Sequence, residues 1–184
     1  MKSQFIFIML FIFCKVSFSG GNGILLNLAP VDTPVIVKEN DTFYRAGRFY
    51  FGGQPGDSMF QWFAEQGVRI VFNLRSENEM GTLPFKQDSL LTGLGIKYVH
   101  IPMSSKSGYT PVSVDTLAKY LEGQEGNALI HCARGGRVTL LWMAYLVRHR
   151  GLSLDDALKI GKKMHFSFPL EKLLGKKVSM RVVD

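Results

Sequence analysis

One stretch decides how this chain folds: Asn127-Ala-Leu-Ile-His-Cys-Ala-Arg-Gly-Gly-Arg-Val-Thr-Leu-Leu-Trp142. Its apolar run Ala128–Ile130 predicts a buried strand that ends at His131 and Cys132. A glycine-containing loop follows, and the apolar residues after Arg137 predict a buried helix. In a loop between a strand and a helix N-terminus, successive backbone N–H groups turn inward and can bind an anion. We therefore expect an anion pocket at this point of the chain.

Cys132 is the candidate nucleophile of this pocket. The positive end of the helix dipole and the Arg137 guanidinium both favour the thiolate, which is the reactive form of cysteine. Gly135 and Gly136 indicate a tight backbone curl or a close approach to a ligand. A free cysteine in an apolar core is the simplest alternative. The combination of strand end, glycines and arginine favours a reactive residue over that alternative.

Three neighbours of the cysteine receive different predictions. Arg137 is expected to grip an oxyanion bidentately and to hold it through a transition state. Arg134 is expected to face outward and to serve as a minor substrate contact. His131 lies on the strand, so its ring should point to the face opposite Cys132. We expect it to orient the loop by hydrogen bonding rather than to act as a base.

Composition limits the function classes. The chain has 184 residues, which suits one domain, and its 22 Lys and Arg against 15 Asp and Glu give a net charge of +7. This charge suits an anionic substrate. The basic residues do not cluster with surface aromatics, so nucleic-acid binding is not predicted. The four histidines show no ligand spacing, and neither a metal nor another cofactor is expected.

The N-terminus resembles a secretory signal peptide. Lys2 precedes the apolar run Phe5–Phe13, which is too short to span a bilayer, and small residues lead to a cut before Gly20. An uncleaved anchor or a buried first helix is the alternative. We predict a signal peptide at 1–19, a linker or flexible arm at 20–34 and a catalytic domain at 35–184.

Removal of the signal peptide would change the charge and the cysteine content. Lys2 and Lys15 would be lost and no acidic residue, so 20 basic against 15 acidic residues leave a net charge of +5. Cys132 would be the one remaining cysteine, which excludes an internal disulfide. No transmembrane span is predicted after this removal, and the mature protein is expected to be periplasmic or secreted.

Alternating strands and helices predict the rest of the fold. The predicted strands are Val35–Lys38, Phe49–Phe51, Val68–Leu74, Ile96–Ile101 and Ala128–Ile130. Helices are predicted around 59–64 and at 84–94, 111–122 and 137–150, with another after Ser153 and a last one from Pro169. This order indicates a single α/β domain with a central, mostly parallel sheet and helices on both faces. Ligands of such sheets bind at the C-terminal ends of strands, where Cys132 lies.

His-Cys, a glycine-bearing loop and Arg resemble the active-site loop of the cysteine-dependent phosphatases, the tyrosine and dual-specificity superfamily. Upstream, Phe51-Gly-Gly-Gln-Pro55, Gly67–Arg75 and Tyr98-Val-His-Ile-Pro102 are similar, in that order, to a bacterial branch that includes the phosphatase-like domain fused to β-lactamase-like hydrolases. The resemblance covers about residues 45–160. It implies that Cys132 attacks phosphorus to form a phosphocysteine. It also implies that the backbone N–H groups of Ala133, Arg134, Gly135, Gly136 and Arg137 cradle the phosphate.

Two features depart from the usual phosphatase pattern. Four residues separate Cys132 from Arg137 where five are usual; the shorter loop is shared with this bacterial branch and with rhodanese-type sulfurtransferases. The loop Ile101–Pro111, where the superfamily places an acidic proton donor, contains no carboxylate. Asp115 is the nearest acid in sequence, and we interpret it as a first-turn helix residue that stabilises the dipole.

The sequence therefore supports three hypotheses. The first is an exported cysteine-dependent phosphatase that hydrolyses phosphotyrosine or another phosphate monoester. The second is a rhodanese-like persulfide sulfurtransferase, which the short loop and the missing acid favour. The third is an inactive phosphate-binding module that keeps the anion pocket without chemistry. In the first and third hypotheses the partner is phosphorylated, and in all three it is anionic.

Overall fold

A six-stranded sheet carries the described part of the chain, in the order β1-β2-β3-β6-β4-β5. The computed structural model describes residues 32–38, 41–105, 107–164 and 173–175. The strands are β1 Asp32–Lys38, β2 Asp41–Ala46, β3 Phe49–Gly52, β4 Val68–Asn73, β5 Lys97–His100 and β6 Asn127–His131. The helices are α1 Asp57–Glu65, α2 Glu77–Met80, α3 Gln87–Gly93, α4 Pro111–Leu121, α5 Gly136–Arg150 and α6 Leu154–Lys163.

Strands β3, β6, β4 and β5 run parallel, while β1 and β2 add an antiparallel edge. The central strand β6 is flanked by β3 and β4, with Ile130 opposite both Phe51 and Phe72. A buried central strand reads as a continuous apolar run because both of its faces are covered. The predicted α/β fold with a mostly parallel sheet is confirmed.

Helices cover both faces of the sheet, as the sequence predicted. On one face, residues of α4, α5 and α6 pack in the larger core, where the Trp142 ring of α5 lies 4.8 Å from Phe49 and 4.9 Å from Phe51. On the other face, α1 and α3 form a second core around Phe60 and Phe63. The strongly apolar α5 is buried along most of its length, so it fixes the direction in which the loop after β6 must turn.

The predicted element boundaries differ from the observed ones in a few places. Strand β2 and the short helix α2 were not predicted. The helix predicted at 84–94 begins at Gln87. Ser153 caps α6, since its hydroxyl accepts a hydrogen bond from the Asp156 N–H. The predicted start of a last helix at Pro169 lies outside the described residues.

The predicted signal peptide falls within residues 1–31, which also lie outside the described part. Among the described residues, no helix has the length and the apolar character needed to cross a membrane.

Gly52 provides a test of the packing beneath the site. The ring of Phe43, which is 2% exposed and lies 5.0 Å from the Phe63 ring, occupies the space that a Cβ at residue 52 would need. We expect Gly52→Ala to lower the free energy of unfolding by about 1–3 kcal/mol, because a close-packed core cannot accept an added methyl without moving the ring. Urea denaturation measures the change.

Gly93→Ala is the matched control, since a Cβ at residue 93 meets nothing within 4 Å. It should leave stability unchanged or raise it slightly, because alanine is the better helix former. Equal stabilities of the two variants would contradict the packing described for Gly52.

Candidate active site

Three connecting segments meet at the C-terminal edge of the parallel strands. They follow β6, β4 and β5, which are neighbours or near neighbours in the sheet. The segment after β6 carries Cys132 and Arg137, that after β4 carries Glu79, and that after β5 carries Tyr109. Ligand sites of parallel sheets form at this edge because the strand ends and the following loops converge there.

The loop after β6 is held by the neighbouring strand. The Cys132 N–H donates to the Gly52 carbonyl at 3.3 Å, and the Gln54 N–H donates to the Ala133 carbonyl, also at 3.3 Å. The Gly135 N–H points back and donates to Cys132 Sγ at 3.1 Å. The side chain of Cys132 is only 1% exposed, so the sulfur lies at the floor of the loop. A backbone donor at this distance is the kind of partner that a thiolate accepts.

Gly135 makes the turn into the helix. It has φ +87° and ψ −21°, a left-handed conformation that side chains other than glycine rarely adopt. The helix α5 begins immediately after Gly135. Its first hydrogen bond runs from the Thr139 N–H to the Gly135 carbonyl. The earlier N–H groups of the helix, from Gly136 to Val138, have no partner within the helix. They lie beside Cys132 at the positive end of α5, which suits an anion.

Arg137 is held by two other segments. Its Nη1 and Nη2 donate to the two carboxylate oxygens of Glu79 at 2.6 and 2.7 Å, and Nη1 also donates to the Met103 carbonyl at 2.7 Å. The side chains of Arg137 and Glu79 are 15% and 33% exposed. The bonds from Glu79 raise the pKa of Arg137, and the nearby charge of Cys132 acts in the same direction. The guanidinium is therefore charged and fixed before any ligand arrives.

The orientation of Arg137 leaves a defined edge for a ligand. A guanidinium has five N–H bonds, and three of them point to Glu79 and Met103. The other two, on Nε and Nη2, lie side by side. A pair of this kind matches two oxygens of a phosphate or sulfate group. Arg137 can thus bind an anion without leaving Glu79.

Glu79 was not predicted as a site residue. It is the third residue of α2, and it forms a capping box with Ser76: the Ser76 N–H donates to Glu79 Oε2 at 2.8 Å, and the Glu79 N–H donates to Ser76 Oγ. The bonds from Arg137, followed by those from Ser76, lower the pKa of Glu79 to about 2. The carboxylate is ionised at neutral pH, so it positions Arg137 and cannot supply a proton.

The Ser-x-x-Glu spacing at 76–79 is typical of a capping box, so the sequence could have predicted the cap. It could not predict the ion pair of Glu79, because Arg137 lies 58 residues further along the chain. Arg75 donates to the Glu79 carbonyl at 2.8 Å and so supports the same turn.

His131 belongs to a buried polar network beneath the loop. Its ring packs against Phe60, on the face of the sheet opposite Cys132, as strand alternation predicts. The Gln87 side-chain nitrogen lies 2.7 Å from His131 Nε2, and the Gln87 oxygen accepts hydrogen bonds from the side chains of Asn73 and Gln54. Because these bonds orient the amide, its N–H is assigned as the donor to Nε2, which places the ring proton on Nδ1, an atom with no hydrogen-bond partner among the described residues.

Burial lowers the pKa of His131 to about 3, so the ring is neutral and is no candidate for a general base. The network ties the segments after β3, β4 and β6 together, which suits the predicted role of His131 in orienting the loop. Gln87 was missed because a single glutamine on the inner face of a short helix gives little signal in the sequence.

An open cleft with a volume of about 690 Å³ leads to Arg137. One wall is the segment Ser76–Glu79, and the other is the segment after β5, with Pro102, Ser104, Ser105, Ser107 and Tyr109. Burial raises the pKa of Tyr109, Arg137 opposes this, and the charges of Cys132 and Glu79 act with burial. The phenol therefore lies within electrostatic range of both the nucleophile and the arginine.

Arg134 lies apart from this cleft. Its exposed side chain lines a separate cavity of about 160 Å³ with residues that include Tyr44, Gly53 and Met164. An anion bound beside Cys132 could contact Arg134 only through the backbone N–H of Arg134. Within the described residues, no group of three or more His, Cys, Asp and Glu side chains is arranged to hold a metal.

The interpretation of Asp115 as a first-turn residue was wrong. Helix α4 starts at Pro111, so Asp115 lies beyond its first turn. Its carboxylate binds Arg148 Nε and His149 Nε2, each at 2.7 Å, and the bonds from Arg148 lead the lowering of its pKa. Asp115 therefore forms a surface ion pair and is not a candidate proton donor.

Comparison with known proteins identifies related phosphatases. The family described as DSP-PTPase phosphatase fused to NAD+ Kinase matches residues 22–169. The Beta-lactamase hydrolase-like protein of Xylella fastidiosa is 26% identical over 116 residues, which are 62% of this chain but only 27% of that protein. The family match confirms the resemblance seen in the sequence.

Several solved structures share the fold. A putative phosphatase from Shewanella putrefaciens aligns over 81% of this chain and 91% of its own, with 16% identity and a TM-score of 0.55. Tk-PTP aligns over 69% and 81%, with 23% identity and a TM-score of 0.56. TpbA from P. aeruginosa, in complex with pTyr, aligns over 65% and 71%, with 17% identity and a TM-score of 0.53. At these identities the likeness concerns the fold.

The ion pair between Arg137 and Glu79 predicts a pH-dependent contribution to stability. The folded-state pKa of Glu79 is about 2, below its ordinary value of 4.5. The contribution is therefore complete above pH 4.5 and is lost as the pH falls toward 2. Glu79→Gln should lower Tm by about 2–6 °C at pH 7, which corresponds to roughly 1–2 kcal/mol for a partly exposed bidentate pair.

Glutamine can still accept and donate in the cap with Ser76, so this variant isolates the ion pair. Calorimetry should show a smaller difference in Tm between the wild-type protein and Glu79→Gln at pH 2.5 than at pH 7. Glu125→Gln, at an exposed position with no ion pair among those described, is the control. A difference that stays constant with pH would contradict the assigned pair.

Proposed function

Since this chain belongs to the family of DSP-PTPase phosphatases fused to NAD+ kinase, we propose that it is a cysteine-dependent hydrolase of phosphate monoesters. The reaction proceeds through a phosphocysteine on Cys132. Phosphotyrosine is the proposed substrate class, with other aryl phosphates as related substrates. The family supports phosphatase activity, while the nucleophile, the substrate and the site of action are parts of this proposal.

One observation carries the proposal: the Gly135 N–H donates to Cys132 Sγ at 3.1 Å in a loop closed by a charged Arg137. A sulfur that accepts a backbone donor beside a fixed cation has the surroundings of a thiolate. A cysteine that only filled the core would need neither partner. The N–H groups of Gly136 to Val138 come directly after this turn, at the positive end of α5, and have no partner within the helix.

The proposed reaction uses these groups in two steps. In the first, the Cys132 thiolate attacks phosphorus, the S–P bond forms, and the bond to the leaving oxygen breaks. In the second, water attacks the phosphocysteine and releases phosphate and the thiolate. In both steps the Nε and Nη2 edge of Arg137 holds two of the three equatorial oxygens, and backbone N–H groups of the loop from Ala133 to Arg137 hold the third. The charge that these donors neutralise is greatest in the transition state, so the fixed arginine favours it over the ground state.

The open cleft suits a phosphorylated side chain on a larger molecule better than a small free anion. Its volume of about 690 Å³ exceeds that of a phosphate group many times over, and serines line much of it. The cleft is polar, with charges concentrated at Arg137, Glu77 and Glu79. A peptide that carries phosphotyrosine would place the phosphate at Arg137 and the chain along the cleft.

The length of the loop keeps a persulfide sulfurtransferase as the second candidate. Four residues separate Cys132 from Arg137, a spacing that the rhodanese type shares. Sulfur transfer also needs no proton donor, and neither the loop nor Asp115 offers a carboxylate for that role. The family match favours the phosphatase.

Cys132→Ser tests the proposal directly. Wild-type protein should hydrolyse p-nitrophenyl phosphate and a phosphotyrosine peptide, and the variant should lose at least about 10³-fold in kcat, because serine is a far weaker nucleophile at this position. Acid quench followed by mass spectrometry should detect phosphate on Cys132 in the wild-type protein only. The variant should still bind tungstate, which shows that its pocket is folded.

Thiosulfate with cyanide is the second arm of the same assay. Absence of phosphate release across pH 5–8, together with thiocyanate formation, would replace the phosphatase with the sulfurtransferase. Tungstate binding without either activity would leave an anion-binding module.

Export is a further part of the proposal. It is motivated by the apolar run Phe5–Phe13 between Lys2 and the small residues before Gly20. Expression of the full chain in a Gram-negative host should place the protein in the periplasm, and intact-mass analysis should show that the exported form begins at Gly20. Retention in the cytoplasm with residues 1–19 intact would refute export. Lys2→Glu is the matched variant, since loss of the positive charge should reduce processing.

A further inference from the structure

The segment after β5 fills the place beside the cleft where a proton donor would act, and it contains no carboxylate. Loss of the leaving group from phosphorus creates an alkoxide or phenoxide, and a donor at its oxygen accelerates this step for poor leaving groups. The segment does present one acidic hydrogen of suitable strength, that of the Tyr109 phenol. The inference drawn from this residue rests on the proposed phosphatase function.

Backbone contacts on either side position Tyr109. The preceding Gly108 has φ +87°, and a Cβ there would overlap the Pro102 carbonyl, so the chain folds tightly back on its own start. Ser113 Oγ of α4 donates to the Gly108 carbonyl at 2.6 Å. The Ser104 N–H donates to the Ser107 carbonyl at 2.8 Å. The ring of Tyr109 is partly buried and packs against the larger core, which favours one position for a catalytic donor.

Tyr109 also lies on the correct side of the site. It lines the cleft together with Arg137, and the Arg137 guanidinium is fixed to the same segment through the Met103 carbonyl at 2.7 Å. Burial raises the pKa of Tyr109. The charge of Arg137 lowers this pKa, and the charges of Cys132 and Glu79 raise it further. Tyr109, Glu79 and Arg137 therefore line one cleft, and the charge of Cys132 acts on the same phenol.

The two carboxylates of the cleft do not serve as donors. Glu79 is ionised and bonded to Arg137 through both oxygens. Glu77 lies two residues earlier on the single turn of α2, so its side chain leaves the helix about 200° around from that of Glu79. It is 77% exposed and lies 3.5 Å from His100 Nδ1.

We propose that Tyr109 is the proton donor to the leaving group. As the S–P bond forms and the P–O bond breaks, the leaving oxygen takes the phenolic proton and departs as an alcohol or phenol. Arg137 lies close enough to stabilise the Tyr109 phenolate formed in this step. In the second step the phenolate takes a proton from the water that attacks phosphorus, the S–P bond breaks, and both the thiolate and the phenol are restored.

This assignment favours aryl phosphates as substrates. The phenolate of Tyr109 and the phenolate that leaves an aryl phosphate have similar basicity, so the proton moves between them with little change in free energy. A carboxylic acid would be a stronger donor than either phenol. The donor remains protonated at neutral pH because a phenol titrates well above it. Phosphotyrosine is the substrate whose leaving group this donor matches.

The test compares two substrates that differ in the basicity of the leaving group. Tyr109→Phe removes the hydroxyl and keeps the ring, and Tyr120→Phe on α4 is the matched control. With phenyl phosphate, whose phenolate is a poor leaving group, Tyr109→Phe should lower kcat/KM by about 10- to 100-fold. With p-nitrophenyl phosphate, which leaves readily without a proton, the loss should stay below about 3-fold. Tyr120→Phe should change neither value.

Each other outcome overturns the inference in a distinguishable way. An equal loss with both substrates, or no loss, would show that Tyr109 does not donate the proton, while phosphate release that depends on Cys132 would keep the proposed function. A selective loss in Glu77→Gln instead would move the role to that carboxylate. Absence of any Cys132-dependent release in the wild-type protein would refute the function and the inference with it.

Discussion

The ion pair between Arg137 and Glu79 is the interaction on which the rest of the site depends. It joins the loop after β6 to the turn after β4, and a further bond from Arg137 to the Met103 carbonyl adds the segment after β5. A free arginine would have to lose side-chain freedom whenever it bound an anion. Here that loss occurs during folding, so two donors face the anion position in advance. The pair therefore converts three separate chain segments into one preorganised pocket.

Fixing Arg137 in this way requires support beneath the loop. The capping box at Ser76 and Glu79 holds the carboxylate, and the Gln87–His131 contact ties the buried ends of the strands together. The contacts that pair this buried network are those of Gln87 with Asn73, Gln54 and His131. His131 is neutral, since a buried charge would need a counter-ion, and its Nδ1 has no hydrogen-bond partner among the described residues. Glycine at position 135 then allows the chain to turn so that its N–H reaches the sulfur.

The sequence was sufficient for the parts of the structure that are local. The apolar run before His131, the glycines and the apolar helix predicted the strand, loop and helix around Cys132, and the alternation of elements predicted the sheet. Glu79 and Tyr109 could not be predicted, since each meets Arg137 only through the tertiary fold. Strand β2 was missed because Asp-Thr-Phe-Tyr-Arg-Ala shows no alternation of apolar and polar residues, and its place depends on pairing with β3.

A crystal structure of the protein with tungstate, a tetrahedral analogue of phosphate, tests the preorganised pocket most directly. We predict the anion within the loop that starts at Cys132, with two of its oxygens accepting from Arg137 Nε and Nη2 at about 2.7–2.9 Å. Glu79 should keep its two bonds to Arg137. An anion bound elsewhere, or an Arg137 side chain that leaves Glu79 to reach the anion, would contradict the preorganised pocket.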